Sequence, residues 1–341
     1  MADAAPAPVA ALQSVVEKRV AAGLDVLLKE ERTPFVIRGL VADWPLVRAG
    51  LQSGAAARAY LLEHGRDRAF TVNIGEAGAG DRLFYDEAMA MNFRTGRAGL
   101  AEIFAEIDAN EGRRDTPAIY LSSIDVKDYF EGLHETNHVD LGAREPIESI
   151  WIGTRTLIAA HNDFPHNLAC CAVGRRRFTL FPPDQFPNLY IGPLDHTPAG
   201  RPVSMVDLRN PDFEKYPRFR EALESAQIAE LGPGDAIFIP SMWWHHVEAL
   251  EPFNVLVNYW WRDTPRYLAQ PQDALNHALL AIRDLPAVEK ELWRQMFDHY
   301  VFGDPAAAAT HLPEGSRGIL DPLDAESAGR IRANLLRSLS R

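Results

Sequence analysis

The 341-residue chain predicts a mainly β fold of the jelly-roll kind, flanked by N-terminal α/β elements and C-terminal helices. Three observations carry this reading. Between residues 148 and 261, short apolar runs recur at 150–152, 156–160, 176–181, 236–239 and 254–260, punctuated by Gly, Pro and Asp; many short strands with turn signals mean a sandwich or barrel. The excursion at 187–229 carries Pro187, Pro193, Pro198, Pro202, Pro211 and Pro217. It is too long for an ordinary hairpin and reads as an insertion over one rim. After Pro265 the strand signals stop and helical periodicity takes over.

Residues 1–7 are rich in Ala and Pro and are expected to fray. Leu12, Val15, Val16, Val20, Leu24 and Leu27 recur at helical spacing, which predicts an amphipathic helix over 9–29. Residues 34–39 read as a short strand ended by Gly39, Trp44-Pro45 as a turn, and 55–64 as a helix. Strands follow at 70–74 and 83–85 around the Gly-rich loop 75–80. A helix over 99–110 places Leu100, Ile103, Phe104 and Ile107 on one face, and 118–123 reads as a strand. Within the insertion, 218–227 is helical. Beyond Pro265, helices are expected at 273–282, 287–301 and 324–339, the last capped by Asp321 or Asp324. The division is therefore 1–264, the β domain with its N-terminal elements, and 265–341, a helical region.

Apolar residues make up 47% of the chain, so it can build a core. The net charge of −12 disfavours an electrostatic nucleic-acid binder. Cys170 and Cys171 are adjacent, and neighbours on a strand face opposite ways, so an ordinary disulfide between them is not expected. That suits a reducing cytoplasm. The N-terminus lacks a basic segment followed by a long apolar one, and no apolar run approaches the ~20 residues of a membrane span. A cytoplasmic protein with no membrane partner is expected.

The candidate chemistry lies in His161-Asn162-Asp163 and His245-His246. On a strand, residues i and i+2 point the same way, so His161 and Asp163 project together. Such a triplet alone is weak: a core histidine beside a turn-capping aspartate is the ordinary alternative. A carboxylate ending an apolar strand is nevertheless costly to bury without a cation or donors. His245 or His246, at the end of another strand, would supply a third ligand. The two face opposite ways, and Pro240-Ser241 interrupts the pleat, leaving the choice open. Two imidazoles and one carboxylate with free positions opposite are the facial triad of non-haem Fe(II) oxygenases. A bidentate 2-oxo acid would take two of those positions and O₂ the third. The far carboxylate of that acid needs a cation. Pleat parity sets Arg176 with Phe178 and Leu180, so either Arg176 points inward or Arg175, Arg176 and Arg177 are all at the surface. Tyr120, Asn167 and Asn258 are candidate hydrogen-bonding neighbours. Among the other histidines, His166 reads as a rim residue. His134 and His138 have i, i+4 spacing, but the polar run around Asn137 favours a surface loop. His196, His277, His299 and His311 read as structural or solvated. Trp243, Trp244, Trp260 and Trp261 read as core and rim packing.

The stretches AHND, GRRRFTLFPPDQF, PGDAIFIPSMWWHHVEAL and VLVNYWW resemble the JmjC-related, cupin-like hydroxylases, especially the branch of the asparaginyl hydroxylase factor inhibiting HIF. The resemblance runs from about residue 34 to 261. It implies a double-stranded β-helix, Fe(II) on His161, Asp163 and His245, and 2-oxoglutarate near Tyr120, Asn167 and Asn258 with its far carboxylate on position 176. Those relatives usually carry Lys there, where this chain has Arg176; Ile158 stands where they often have a hydroxyl residue. It further implies a homodimer paired through the C-terminal helices. The function expected is Fe(II)- and 2-oxoglutarate-dependent hydroxylation of a protein side chain or small molecule. The alternative is a cupin-fold metal-binding protein without 2-oxoglutarate turnover, either a scaffold or a metalloenzyme that binds its substrate directly.

Overall fold

The computed structural model describes residues 12–21, 23–76, 80–113, 115–313 and 315–340. It divides into two compact units, Met1–Arg262 and Asp263–Arg341.

The first unit contains strands β1 (Gln13–Ser14), β2 (Val16–Glu17), β3 (Phe35–Ile37), β4 (Phe70–Gly75), β5 (Phe93–Ala98) and β6 (Ile119–Asp125). They are followed by β7 (Ile147–Gly153), β8 (Thr156–Asn162), β9 (His166–Val173), β10 (Arg176–Phe181), β11 (Gln227–Leu231), β12 (Ala236–Ile239), β13 (Trp244–Ala249) and β14 (Asn254–Trp261). One sheet has five strands in the order β1-β11-β10-β13-β8 and the other nine, β2-β3-β12-β9-β14-β7-β6-β4-β5. Strands β7 to β14 supply four consecutive antiparallel neighbours to each sheet. This is the jelly roll, a double-stranded β-helix, expected from the sequence.

Alternation along β9 shows how the layers separate. Leu168, Cys170 and Ala172 join the core beneath the helices, while Ala169 and Cys171 join the core between the sheets. The two thiols are free and buried on opposite faces. The outer core of the larger sheet is closed by helices Pro45–Gln52, Gly54–His64 and Leu100–Asn110, which contribute Leu46, Leu61, Ile103 and Phe104. Burial of each such side chain contributes about 1.5–3 kcal/mol. At the β9–β10 turn, Gly174 has φ +75°, and a Cβ there would lie 2.8 Å from the Phe253 carbonyl oxygen. A glycine is required by both the conformation and the close approach.

Three sequence expectations need correction. Residues 12–17 are not helical: β1 and β2 add in parallel to β11 and β3, with Val15 buried and Val16 exposed. The helix there is short, Leu24–Glu30, and residues 9–11, like residues 1–7 that were expected to fray, lie outside the described residues. The apolar spacing was met by strand addition to existing edges, which satisfies the backbone at once. Residues 83–85 make only isolated bridges at Arg82 and Tyr85, and the partner of β4 is β5. Finally, β12 and β13 are separate strands broken at 240–243, so His245 lies near the beginning of a strand and not at its end.

The second unit contains helices Pro271–Ala281, Ala287–Phe297, Pro305–Ala309 and Ala325–Leu339. Asp324 caps the last one by accepting the Ser327 amide at 2.7 Å, while Ser327 Oγ accepts the Asp324 amide. Val288, Leu292, Trp293 and Met296 leave much of their surface exposed on Ala287–Phe297. Among the described residues no helix is long and apolar enough to cross a membrane.

Candidate active site

Strands β8 and β13 are hydrogen-bonded neighbours, and their register sets His161 directly opposite His245. The two imidazole centroids are 4.3 Å apart. Asp163 follows the end of β8, and its carbonyl accepts the Met242 amide at 2.9 Å, tying it to the turn that launches β13. Met242 holds φ +69° in that turn. As a result His245 Nε2 lies 3.6 Å from Asp163 Oδ2, and one ligand atom from each of His161, Asp163 and His245 falls within 4.8 Å of the others.

Both imidazoles are oriented alike by their own strands. Nδ1 of His161 meets the Ala159 carbonyl at 2.9 Å, and Nδ1 of His245 meets the Trp243 carbonyl at 3.1 Å. A proton on each Nδ1 donates to that carbonyl and leaves Nε2 unprotonated, the tautomer a metal requires. Burial, reinforced by His161 and opposed by Asp163, lowers His245 to about 4. It is therefore neutral near pH 7. The donor set and its protonation fit a divalent transition metal with open positions. His246 is directed differently: buried opposite Thr179, it has no hydrogen-bond partner on either ring nitrogen. Its electrostatic neighbours are Arg209, Arg82, His161 and Arg177.

The inward reading of Arg176 agrees with its burial. The side chain is 2% exposed, and Phe178 and Leu180 of the same strand face lie in the core between the sheets. Among the described residues no carboxylate pairs with it, and its Nε has no hydrogen-bond partner. Arg175 and Arg177, by contrast, form exposed or half-exposed ion pairs with Glu251 and Glu230. Burial pushes the Tyr120 hydroxyl up to about 12, against a Coulombic pull and a hydrogen bond from Arg176. Cys171 is likewise pushed up to about 12 by burial and drawn back by Arg176. Asn258 Nδ2 faces Asn167 Oδ1 at 3.4 Å, and both side chains are buried. The fold thus gathers Arg176 with Tyr120, and Asn167 with Asn258, as two polar pairs.

Two neighbours, Trp151 and Arg201, were not singled out from sequence. Trp151 donates its indole N–H to Asn258 Oδ1 at 2.8 Å and packs 5.9 Å from the Tyr120 ring. Its place between Ile150 and Ile152 on one strand carried the signal, since pleat alternation turns it away from both. Ile158 joins Leu83, Ala118, Tyr120 and Trp151 in a small apolar cluster, an apolar wall where a hydroxyl would otherwise stand. Arg201 comes from the insertion; it donates to the Asn162 carbonyl at 3.0 Å, and its guanidinium lies 3.7 Å from the centroid of the Phe164 ring. Nothing periodic in sequence could have brought it there. His166 accepts the Ser241 amide and stacks on Phe238, a packing role at the rim. His134 and His138, read as a surface loop, adjoin the buried Glu148.

A jelly roll holding two histidines and an aspartate at one end of paired strands defines a cupin-type metal-site architecture. A sequence profile described as a cupin-like domain matches residues 27–267, and the chain belongs to that family. It is similar to human HSPB1-associated protein 1, with 30% identity over 263 residues, covering 72% of this chain and 51% of that protein. It is also similar to the lysine-specific demethylase JMJ31 of Arabidopsis thaliana, with 39% identity over 104 residues, covering 30% of this chain and 18% of the relative. The tRNA wybutosine-synthesizing protein 5 of Gallus gallus shares 37% identity over 105 residues, covering 31% of this chain and 30% of its own length. The chain spans about half the length of the HSPB1-associated relatives it matches along most of its sequence.

Proposed function

We propose that this protein is an Fe(II)- and 2-oxoglutarate-dependent oxygenase that hydroxylates a C–H bond of a protein side chain or small molecule. The observation that carries the reading is the pairing of the His161, Asp163 and His245 group with a buried Arg176 that has no anion beside it among the described residues. A buried cation of that kind is strongly unfavourable by itself, and guanidinium binds carboxylate bidentately. His161, Asp163 and His245 would hold the iron. Arg176 would clamp the far carboxylate of 2-oxoglutarate, with Tyr120 as a second donor. Asn167 and Asn258 would face the metal-proximal end. When bound, the iron supplies O₂ activation coupled to decarboxylation of the 2-oxo acid to succinate.

The residues do the rest by positioning. The carbonyls of Ala159 and Trp243 hold the two imidazoles in their ligating tautomer, and Trp151 fixes the Asn258 amide. Leu83, Ile158 and Trp151 line an apolar flank that keeps water from the reacting carbon. Relatives whose names describe a demethylase and a tRNA-modifying protein are consistent with an oxidative reaction on a larger partner. Pairing of two copies through the second unit is part of the same proposal. Val288, Leu292, Trp293 and Met296 offer an apolar stripe for it, and light scattering on the full chain tests it.

Anaerobic addition of 2-oxoglutarate to the Fe(II)-loaded protein should produce a weak visible charge-transfer band, and admission of O₂ should release succinate. Metal binding without either signal would favour the alternative, a cupin-fold metal protein that does not turn over 2-oxoglutarate.

A further inference from the structure

We propose that His134, His138 and Glu148 form a second metal site, separate from the one at His161, Asp163 and His245, that takes a divalent ion of the zinc class. Ligand atoms of the three residues lie within 4.8 Å of one another. His134 sits in the short helix Leu133–Thr136, His138 just beyond it, and Glu148 on β7. Neighbouring residues on a strand face opposite ways. Glu148 pairs in register with Tyr259 of β14, and Tyr259 belongs to the core beneath the helices, whereas the adjacent Asn258 meets Trp151 and Asn167. The second group therefore lies across the larger sheet from the candidate active site.

The group is built rather than incidental. Glu148 is buried, and its Oε2 is hydrogen-bonded to Nδ1 of the His134 imidazole. Its other oxygen, Oε1, faces the Tyr259 hydroxyl at 3.3 Å, an outer contact of the type that orients a ligating carboxylate. That hydroxyl also accepts the Val139 amide at 3.2 Å, and the Trp44 indole N–H donates to the His138 carbonyl, also at 3.2 Å. Between the histidines, the buried Asn137 accepts the Leu46 amide at 3.0 Å and donates to the Leu133 carbonyl at 3.1 Å. The backbone carrying both imidazoles is thereby fixed.

The imidazole rings themselves are close, with centroids 4.5 Å apart. Zinc–ligand distances of about 2.0–2.2 Å put tetrahedral ligand atoms ~3.3 Å apart. Closing from the present spacing requires a modest swing of the exposed His138 ring, whose surface freedom permits it. Two imidazoles and one carboxylate are a borderline donor set that suits zinc-class ions and leaves a fourth position for water. Bound there, the ion would neutralise Glu148 and clamp the 133–140 loop to β7 and β14.

The test uses the full chain, stripped with a chelator and loaded with Co(II) alone, with bound cobalt counted after desalting. Wild type should bind two ions, Asp163→Ala one, His138→Ala one, and the double variant none. His138 is exposed and its side chain closes no core, so its replacement leaves the fold intact. Retention of one cobalt by the double variant overturns the proposal, as does an Asp163→Ala protein that folds and binds none. If Asp163→Ala fails to fold, the wild-type and His138→Ala counts decide alone: two falling to one supports the site, and equal counts overturn it.

Discussion

Replacing Arg176 with Met should move two measurements in opposite directions. In the ligand-free protein the guanidinium is buried, has no carboxylate partner among the described residues and leaves Nε unsatisfied. Substituting a buried charged group with a well-packed apolar one typically stabilises by about 1–4 kcal/mol. Loss of the Tyr120 hydrogen bond returns about 1 kcal/mol of that, so the net gain is about 0–3 kcal/mol. At roughly 2–4 °C per kcal/mol for a domain of this size, Tm should hold or rise by up to about 12 °C. The ligand response should do the reverse. With Mn(II) in place of iron and 2-oxoglutarate at a hundred times its Kd, wild type should gain about 2.7 kcal/mol, or roughly 5–11 °C. Removing one partner of a buried ion pair costs about 3–5 kcal/mol, which lowers affinity by at least ~100-fold and cuts that shift to at most about 1–2 °C. Arg176→Lys should retain much of the response because it keeps the charge but not the fork. Scanning calorimetry of the three proteins, with and without 2-oxoglutarate, reads both effects. A ligand-induced shift of wild-type size in Arg176→Met would refute the assignment of the clamp, and a lower ligand-free Tm would refute the burial cost.

Asp163→Ala should weaken Fe(II) binding by more than ~100-fold, beyond the 10–100-fold typical of outer contacts, as read by competition with a chromogenic chelator. Trp151→Phe leaves Asn258 Oδ1 without its donor and should cost about 1–2 kcal/mol in urea unfolding, with weaker 2-oxoglutarate binding. Burial and the surrounding arginines lower His246 from the ordinary 6.5 to about 3. Below pH 6.5 the unfolded chain takes up a proton that the folded group refuses, so its stability contribution is complete above 6.5 and declines as pH falls toward 3, by about 2–3 kcal/mol near pH 4.5. His246→Asn should flatten that part of the stability–pH curve; an unchanged slope rules out His246 as its source. Gly174→Ala should destabilise by at least ~1–2 kcal/mol from the left-handed backbone alone, with more from the Phe253 carbonyl contact, seen as a lower urea midpoint.

The jelly roll was legible because its strands carry apolar runs at regular intervals, and the closeness of His161 and Asp163 because strand alternation ties them together. Arg176 was legible for the same reason: Phe178 and Leu180 marked its face. What alternation could not decide was His245 against His246, since parity fails across the turn at 240–243, where Met242 takes a positive φ. Strand β9 was absent from the expected runs because it opens on His166 and Asn167 and continues with small residues buried on both faces. The β1 and β2 segments look helical by spacing, yet two-residue pairings to β11 and β3 override that local preference. Arg201 and Glu148 reach their sites through contacts distant in sequence, which no local pattern encodes.

The insertion has a consequence for how such a protein diversifies. Val203 bridges His161, and the Ser204 amide donates to the Ala160 carbonyl at 2.7 Å, so the excursion zips onto the free edge of β8 beside a metal-candidate histidine. Its remaining apolar residues, including Leu189, Val206, Leu208 and Phe219, fold over Phe181 and Trp244 as a small hydrophobic cluster of their own. The surface beside His161 is thus shaped by a segment whose residues can be exchanged while the strands beneath stay constant. On the proposed oxygenase reading, selectivity and reactivity can then drift independently, one written in the excursion and the other in the barrel.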